Sequence, residues 1–473
     1  MAKKKVTRKN TVGKKLTKKE EVQQEWAGEN RGKVLGSFFR QTIAESIKKT
    51  GREDMWVCTP EAHLHVGLPY PSFALEYLTA CRVFPLGIVT QIVGEYACCK
   101  SSFLYEICRW FRSFGGGGII MENETKFSPI LCSSLNRYDP NAVVVKRTKS
   151  TEEWQEGIFR WVEAIQKKCT GTLQDPGPGR VIPICFSVDS LAGKLAEESR
   201  TKMKASKHAE KGYPVEALLN SRWFKDATTQ LDDWPFHLAV INQLSKNMVD
   251  GRVDRKKPGG KFLGFQQSIE FEMARTGYLK TAKYRGVKLN ITTMKNSLAE
   301  SQRTIPVEMI WWHSNDEWVD EFGVEREGRR QHTRFDWFGS TVKLLINLMK
   351  DGWKKKIKPI VDLEVTKLPS GAYGVYSEKL DIPSKDPVDF TTAGRTIQHR
   401  EDILESLRDL FGVQPAYIFQ PGQEYHQQVA SAMNVSREDE KRRNAEVLAS
   451  KAAESADVRT KWDAIDKGNE DEL

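Results

Sequence analysis

The sequence contains no C-x-x-C pair: apart from the adjacent Cys98 and Cys99, its eight cysteines are scattered. That argues against a structural zinc site or a disulfide framework, and for reduced thiols in a cytosol. No apolar run approaches the roughly 20 residues that a membrane span needs. The opening M-A-K-K-K-V-T-R-K-N has no apolar stretch of the secretory kind, so the chain is expected to stay where it is made. No internal repeat is found. What is present is 473 residues, too many for one small core and enough for two or three domains. Apolar content, 39%, is ordinary for a globular protein. A net charge of +10 and a pI near 9.0 point to a polyanionic partner, with the location of the charge mattering more than its sum.

One stretch organises the rest. The run I-V-T-Q-I-V at 88–93 reads as a short buried strand, and from Ser101 the sequence S-S-F-L-Y-E-I-C-R-W-F has the apolar spacing of a helix packed on a sheet. Between them lies G-E-Y-A-C-C-K-S at 94–101. Strand, six-residue loop, Lys-Ser and helix is a phosphate-binding layout. Backbone N–H groups and the helix N-terminus cradle phosphates, the lysine offsets charge, and the hydroxyl reaches Mg²⁺. The candidate nucleotide contacts are Gly94, Glu95, Tyr96, Ala97, Cys98, Cys99, Lys100, Ser101 and Ser102. The pattern wants glycine where Cys99 stands, and glycine tolerates conformations that cysteine does not. On this motif alone a nucleotide site and a chance strand–loop–helix are equally open.

Downstream, a glycine loop at 115–118 feeds I-I-M-E-N-E at 119–124, a strand that ends in carboxylates beside the phosphate loop. Glu124 is therefore a candidate base or water-orienting residue, against the plainer reading of an exposed strand-end acid. A helix is expected over 151–168 and a Pro/Gly loop near 174–180. The run V-I-P-I-C-F-S-V-D-S at 181–190 then offers Asp189 to a Mg²⁺ shell. The charged segment 194–211 follows, with Lys194, Arg200, Lys202, Lys204, Lys207 and Lys211. Next comes a strand at 237–243 ending in Gln243, and a long loop at 244–261 with Lys246, Arg252, Arg255, Lys256, Lys257, Gly259 and Gly260. Two basic loops leaving one side of one sheet suit a nucleic-acid backbone, since lysine and arginine displace condensed counterions. Either loop alone reads as a solvated insertion.

The expected organisation is a disordered basic arm at 1–20, a helical module at 21–84 with an amphipathic helix over 33–49, and a core at 85–335. Antiparallel strands are expected at 268–275, 284–294 and 307–311. A C-terminal module at 336–435 and a charged, mobile tail at 436–473 complete the chain.

The ordered set G-E-Y-A-C-C-K-S, M-E-N-E at 121–124, S-V-D-S-L at 187–191, I-N-Q at 241–243, P-G-G-K at 258–261 and M-K-N at 294–296 resembles the RecA recombinase family, most closely its phage UvsX branch. The resemblance runs from about residue 56 to 350. It implies an α/β fold: a RecA-type P-loop ATPase core with a mainly parallel central sheet flanked by helices, a small N-terminal helical module and an α+β C-terminal module. It implies ATP and Mg²⁺ as cofactors. Lys100 and Ser101 would bind phosphates and metal, Glu124 would orient the attacking water, Asp189 would support the metal, and Gln243 would sense the γ-phosphate. Segments 193–212 and 244–261 would hold single-stranded DNA, with double-stranded DNA as the second strand source.

The resemblance also implies a helical homo-oligomeric filament, assisted by single-strand-binding or loader proteins, in the cytoplasm (the host's, if phage-encoded) and with no membrane. Lys295 matches a lysine reaching across to a neighbouring subunit's γ-phosphate; its companion position is Ser297, and Arg303 is a possible substitute. The family's adenine-side aspartate and tyrosine align with Ser128 and Leu131. The implied activity is DNA-dependent ATP hydrolysis driving homologous pairing and strand exchange in recombination, repair and recombination-dependent replication. A weakly or non-hydrolysing single-strand-coating filament and a ring helicase of the same core remain open alternatives.

Overall fold

A computed structural model describes residues 65–171, 181–191, 215–231, 234–249, 252–256, 261–281, 284–319, 325–425 and 427–428. The arm at 1–20, the helix expected over 33–49, the loop at 174–180, Lys194, Arg200, Lys202, Lys204, Lys207, Lys211, Lys257, Gly259, Gly260 and the tail at 436–473 lie outside the described residues.

In chain order the elements begin with β1 (Val66–Pro69), α1 (Phe73–Thr79), β2 (Val83–Pro85), β3 (Val89–Gly94), α2 (Lys100–Ser113) and β4 (Gly117–Glu122). There follow α3 (Pro129–Leu135), β5 (Val143–Arg147), α4 (Thr151–Thr170), β6 (Ile184–Asp189), α5 (Val215–Leu231) and β7 (Phe236–Gln243). Next are β8 (Ser245–Val249), β9 (Arg252–Lys256), α6 (Lys261–Gln266), β10 (Ile269–Lys280), β11 (Arg285–Asn296), β12 (Thr304–Val319) and β13 (Glu325–Phe335). The chain continues through α7 (Trp337–Leu348), α8 (Lys354–Ile357), β14 (Glu364–Lys367), β15 (Tyr373–Tyr376), β16 (Val388–Asp389), α9 (Phe390–Gln398), α10 (Glu401–Phe411) and β17 (Tyr417–Ile418).

Nine of these strands form one sheet in the order β13-β12-β11-β10-β3-β7-β6-β4-β5. The run from β10 through β3, β7, β6 and β4 to β5 is parallel, and β11, β12 and β13 extend it antiparallel. The interior explains the sequence pattern. All six residues of β3 are buried, as a central parallel strand covered on both faces requires. Helix α2 turns Phe103, Leu104, Ile107, Cys108 and Phe111 onto the sheet, a spacing of three and four that keeps one face apolar. Phe103 meets Phe271, Phe335 and Trp337 at ring-centroid distances of 5.7, 6.0 and 5.8 Å. These contacts fix the helix, and with it the loop at 94–99, against the sheet.

Two sequence expectations change. Segment 244–261 is not simply a loop: β8 and β9 pair antiparallel within it, Ser245 opposite Lys256, and α6 begins at Lys261. The D-G pair at 250–251 is the turn signal for that hairpin. The antiparallel extension is also longer than expected, because β12 spans 16 residues and β13 another 11. Before the core, the described part of the N-terminal segment is strand–helix–strand: β1 pairs with β2 and, parallel, with β17.

Candidate nucleotide site

The site is built at the carboxyl ends of β3, β4, β6 and β7. Gly94 closes β3, and an added Cβ there would sit 2.4 Å from the Met273 carbonyl oxygen and 2.6 Å from the Cys98 Sγ, so only glycine fits. Ala97 and Cys99 both hold left-handed backbone, at φ 58° and 63°. That conformation turns the loop back on itself at a cost of about 1–2 kcal/mol per non-glycine residue. Lys100 Nζ donates to the carbonyls of Gly94 (3.0 Å) and Glu95 (2.7 Å) and lies 3.7 Å from the Cys98 Sγ. Burial raises the Cys98 thiol above its ordinary value and pushes Cys99 up to about 12, so both stay neutral and Lys100 supplies the positive charge of the Cys98–Lys100 stretch. Tyr96 stands outward, 85% exposed, with Lys126 Nζ 5.8 Å from its ring centroid.

The acids converge from neighbouring strands. Asp189 ends β6, and burial raises its carboxyl to about 6, reinforced by Glu124 and Glu122 and opposed by the Ser101 hydroxyl and Lys100. Glu124 follows β4. Its Oε1 accepts from Ser190 Oγ and from Gln243 Nε2 (2.6 Å), and its Oε2 accepts from Lys126 Nζ (3.2 Å). Burial works to raise the Glu124 carboxyl, but these hydrogen bonds outweigh it and hold the group below its ordinary value. Gln243 is the last residue of β7, and Leu244 N donates to the Gly94 carbonyl at 3.1 Å, tying that strand end to the phosphate loop. The Ser101 hydroxyl and the Asp189 carboxylate are hard oxygen donors, the set that a hydrated Mg²⁺ takes alongside phosphate oxygens.

Lys100, Ser101, Glu124, Asp189 and Gln243 are therefore brought together. Lys295 is not. It pairs in register with Glu270, which faces Gln91, three residues before Gly94 on β3. Its Nζ donates to the carbonyls of Gly264 (2.9 Å), Phe265 (3.2 Å) and Gln267 (2.6 Å), and burial depresses its pKa. Arg303 does not serve as a spare cation: its guanidinium is spent on Glu300 (2.7 Å) and on the carbonyls of Tyr77 (3.2 Å) and Phe411 (2.8 Å). Ser128 caps α3 by accepting from Leu131 N. Of the basic residues within 244–261, Lys246 falls on β8 and Arg252, Arg255 and Lys256 on β9.

Sequence reasoning missed four contributors. Ser190 and Lys126 hold Glu124; buried Asn123 donates from its Nδ2 to the Ser190 carbonyl at 3.0 Å; and Glu122 Oε1 accepts from Lys126 N at 2.8 Å. The motifs M-E-N-E and S-V-D-S-L contained three of them, with no signal for which side chain turned inward.

No family model matches the chain. Among known proteins it is similar to the proteins named Protein RecA from two strains of Ureaplasma parvum serovar 3. Each is 22% identical over 263 residues, covering 54% of this chain and 72% of the relative. The fold, a large mainly parallel sheet flanked by helices, with the loop at 94–99 and α2 following β3, the first strand of that sheet in chain order, is consistent with a RecA-like core. Together these support a distant relationship to RecA proteins. Among the described residues no helix is long and apolar enough to cross a membrane.

Proposed function

We propose that the protein is an ATP-dependent DNA recombinase of UvsX-like character that assembles as a filament on single-stranded DNA and carries out homologous pairing and strand exchange. One observation carries this: Gln243 holds Glu124 at 2.6 Å and is also the residue from which the basic segment 244–261 departs. Segment 193–212 leaves from the end of β6, which neighbours β7 in the parallel sheet. The proposed phosphate pocket and the proposed DNA grip thus share one rim.

In this reading the phosphate loop and Lys100 hold the ATP phosphates, and Ser101 and Asp189 hold Mg²⁺, which would neutralise charge on the transferring phosphoryl group. Glu124 accepts from the attacking water and aligns it. Gln243 exchanges its bond to Glu124 for one to the γ-phosphate, which moves the start of the DNA-holding segment. Affinity for DNA then follows nucleotide state through differential contacts. Lys295, held by three carbonyls on the other side of β3, is presented to the pocket of a neighbouring subunit. Phosphate contacts supply affinity, and base pairing between strands supplies sequence recognition.

Two features favour a second reading, a slowly hydrolysing single-strand-coating filament: Cys99 stands in a left-handed position, and Arg303 is engaged where a second trans cation is missing at Ser297. A ring helicase of the same core is the third. ATP hydrolysis measured with and without single-stranded DNA separates the first two, and joint-molecule formation between homologous DNAs separates the first from the third. Glu124→Gln is expected to retain ATP and DNA binding while losing turnover by about 10²-fold or more. Hydrolysis at the parent rate would remove Glu124 from its assigned role.

A further inference from the structure

A second cavity lies between the later turns of α2, the turn after α3 and the β12–β13 hairpin, with a volume of about 480 Å³. Its walls include none of residues 94–102, nor Glu124, Asp189, Gln243, Ser128 or Leu131. Five arginines reach it: Arg109 from α2, Arg137 from the turn, Arg330 and Arg334 from β13, and Arg395 from α9. Against them stand two carboxylates, Glu106 and Asp336, and both are committed. Glu106 accepts from Arg109, from Trp110 Nε1 (3.3 Å) and from Trp337 Nε1 (2.9 Å). Asp336 accepts from Gly339 N (3.1 Å) and Thr391 Oγ1 (3.0 Å). Among the described residues, Arg137, Arg334 and Arg395 have no carboxylate within ion-pair distance. The cavity is therefore electropositive.

Its cations are also oriented. The Arg330 guanidinium lies 3.8 Å from the Tyr138 ring centroid, that of Arg334 5.4 Å from Trp312, and that of Arg395 5.5 Å from Phe338. For Arg334 and Arg395, a guanidinium held against a ring loses rotamer freedom and keeps N–H edges available for a planar, two-point grip on a phosphate. Arg137 and Tyr138 are successive non-glycine residues in left-handed backbone, at φ 56° and 59°. Such strain persists only where the surroundings over-determine it. Here Tyr138 Oη donates to the Gln331 carbonyl at 2.5 Å and Tyr138 N to the Ser133 carbonyl at 2.7 Å, pinning the turn to β13. Trp312 and His332 stack at 5.2 Å and 16°, adding flat ring surface to the wall. Bare phosphate would leave that surface without a partner, whereas a phosphate carrying a planar base would cover it.

We propose that this cleft binds a nucleotide unit, phosphate with its unpaired base, separately from the ATP pocket; the unit comes either from a free nucleotide or from a single strand. The inference stands on this cavity alone and does not depend on the recombinase reading. The test uses the full chain carrying Lys100→Ala, which weakens the phosphate loop, titrated calorimetrically with 5′-phosphorylated thymidine dinucleotide. One binding equivalent is expected to lose tenfold or more in affinity when Arg137→Ala and Arg334→Ala are added, with circular dichroism melts unchanged. The same pair with Lys100 intact is expected to leave ATP affinity at the parent value. Should the alanine pair fail to fold, Arg137→Lys with Arg334→Lys, which keeps charge but removes the fork, is expected to show a smaller loss in the same equivalent. Displacement of the dinucleotide by oligothymidylate identifies a strand as the source, and displacement by ATP alone identifies a free nucleotide. Dinucleotide affinity undiminished by the arginine substitutions, inorganic phosphate binding as tightly as the dinucleotide, or displacement by neither competitor would overturn the assignment.

Discussion

The carboxyl of Asp189, raised by burial to about 6, makes a prediction at the scale of one residue. In the unfolded chain the group titrates near its ordinary 3.8, so between those two values the folded state binds the extra proton and stability falls as pH rises. Above about pH 6 the full cost of a buried carboxylate is present. Asp189→Asn removes it, and in metal-free, nucleotide-free protein should stabilise by an amount on the order of a few kcal/mol. The gap in melting temperature between variant and parent should be wider at pH 8 than at pH 5; an equal gap at both would mean that the gain is not electrostatic. Asp189 was legible in the sequence because an apolar run ending in Asp-Ser marks a strand end. Ser190, its neighbour, was not: a hydroxyl carries no periodicity, and its bond to Glu124 spans 66 positions of chain. Lys126 was equally silent, since one exposed lysine looks like any other until its partner is placed.

Among the elements, β3, the phosphate loop and α2 form the unit on which the site depends, and Gly94 is its tightest point. Gly94→Ala drives a methyl group into the Met273 carbonyl of β10 and the Cys98 Sγ. We expect a loss of about 2–4 kcal/mol in denaturant unfolding together with weakened nucleotide binding. A variant that melts and binds like the parent would show that the loop relaxes freely. Segment 244–261 gives a second test, Lys256→Ala with Lys257→Ala. Single-strand DNA affinity should fall at every sequence, and the slope of log affinity against log salt should shrink by about 1–2, since each phosphate contact on a single strand contributes roughly 0.7. An unchanged slope takes that segment off the contact surface. Strands and helices of the core were readable because burial on one or both faces forces a period of 2, 3.6 or an unbroken apolar run. Apart from the Asp-Gly turn, the β8–β9 hairpin was not, nor were the outer ends of β12 and β13, because charged residues crowd those stretches and that composition reads as loop.

Across the whole molecule, order in the sheet does what no single motif does. Strands far apart in sequence, β3, β4, β6 and β7, end side by side, and Ser101, Glu124, Asp189 and Gln243 near their ends are brought together. The order of motifs along the chain pointed to these strand ends as the candidate site. The arginine-lined cleft could not be, because its contributors come from α2, the turn after α3, β13 and α9, and no local pattern links them. In the proposed function, nucleotide and DNA are coupled through Gln243 and the strand ends it joins. The most direct measurement is single-strand DNA affinity of the intact protein, at one salt concentration, with a non-hydrolysable ATP analogue, with ADP and with no nucleotide. Clearly tighter binding is expected with the analogue than with ADP, and loss of that difference in Gln243→Ala. Equal affinity in all three conditions would contradict it.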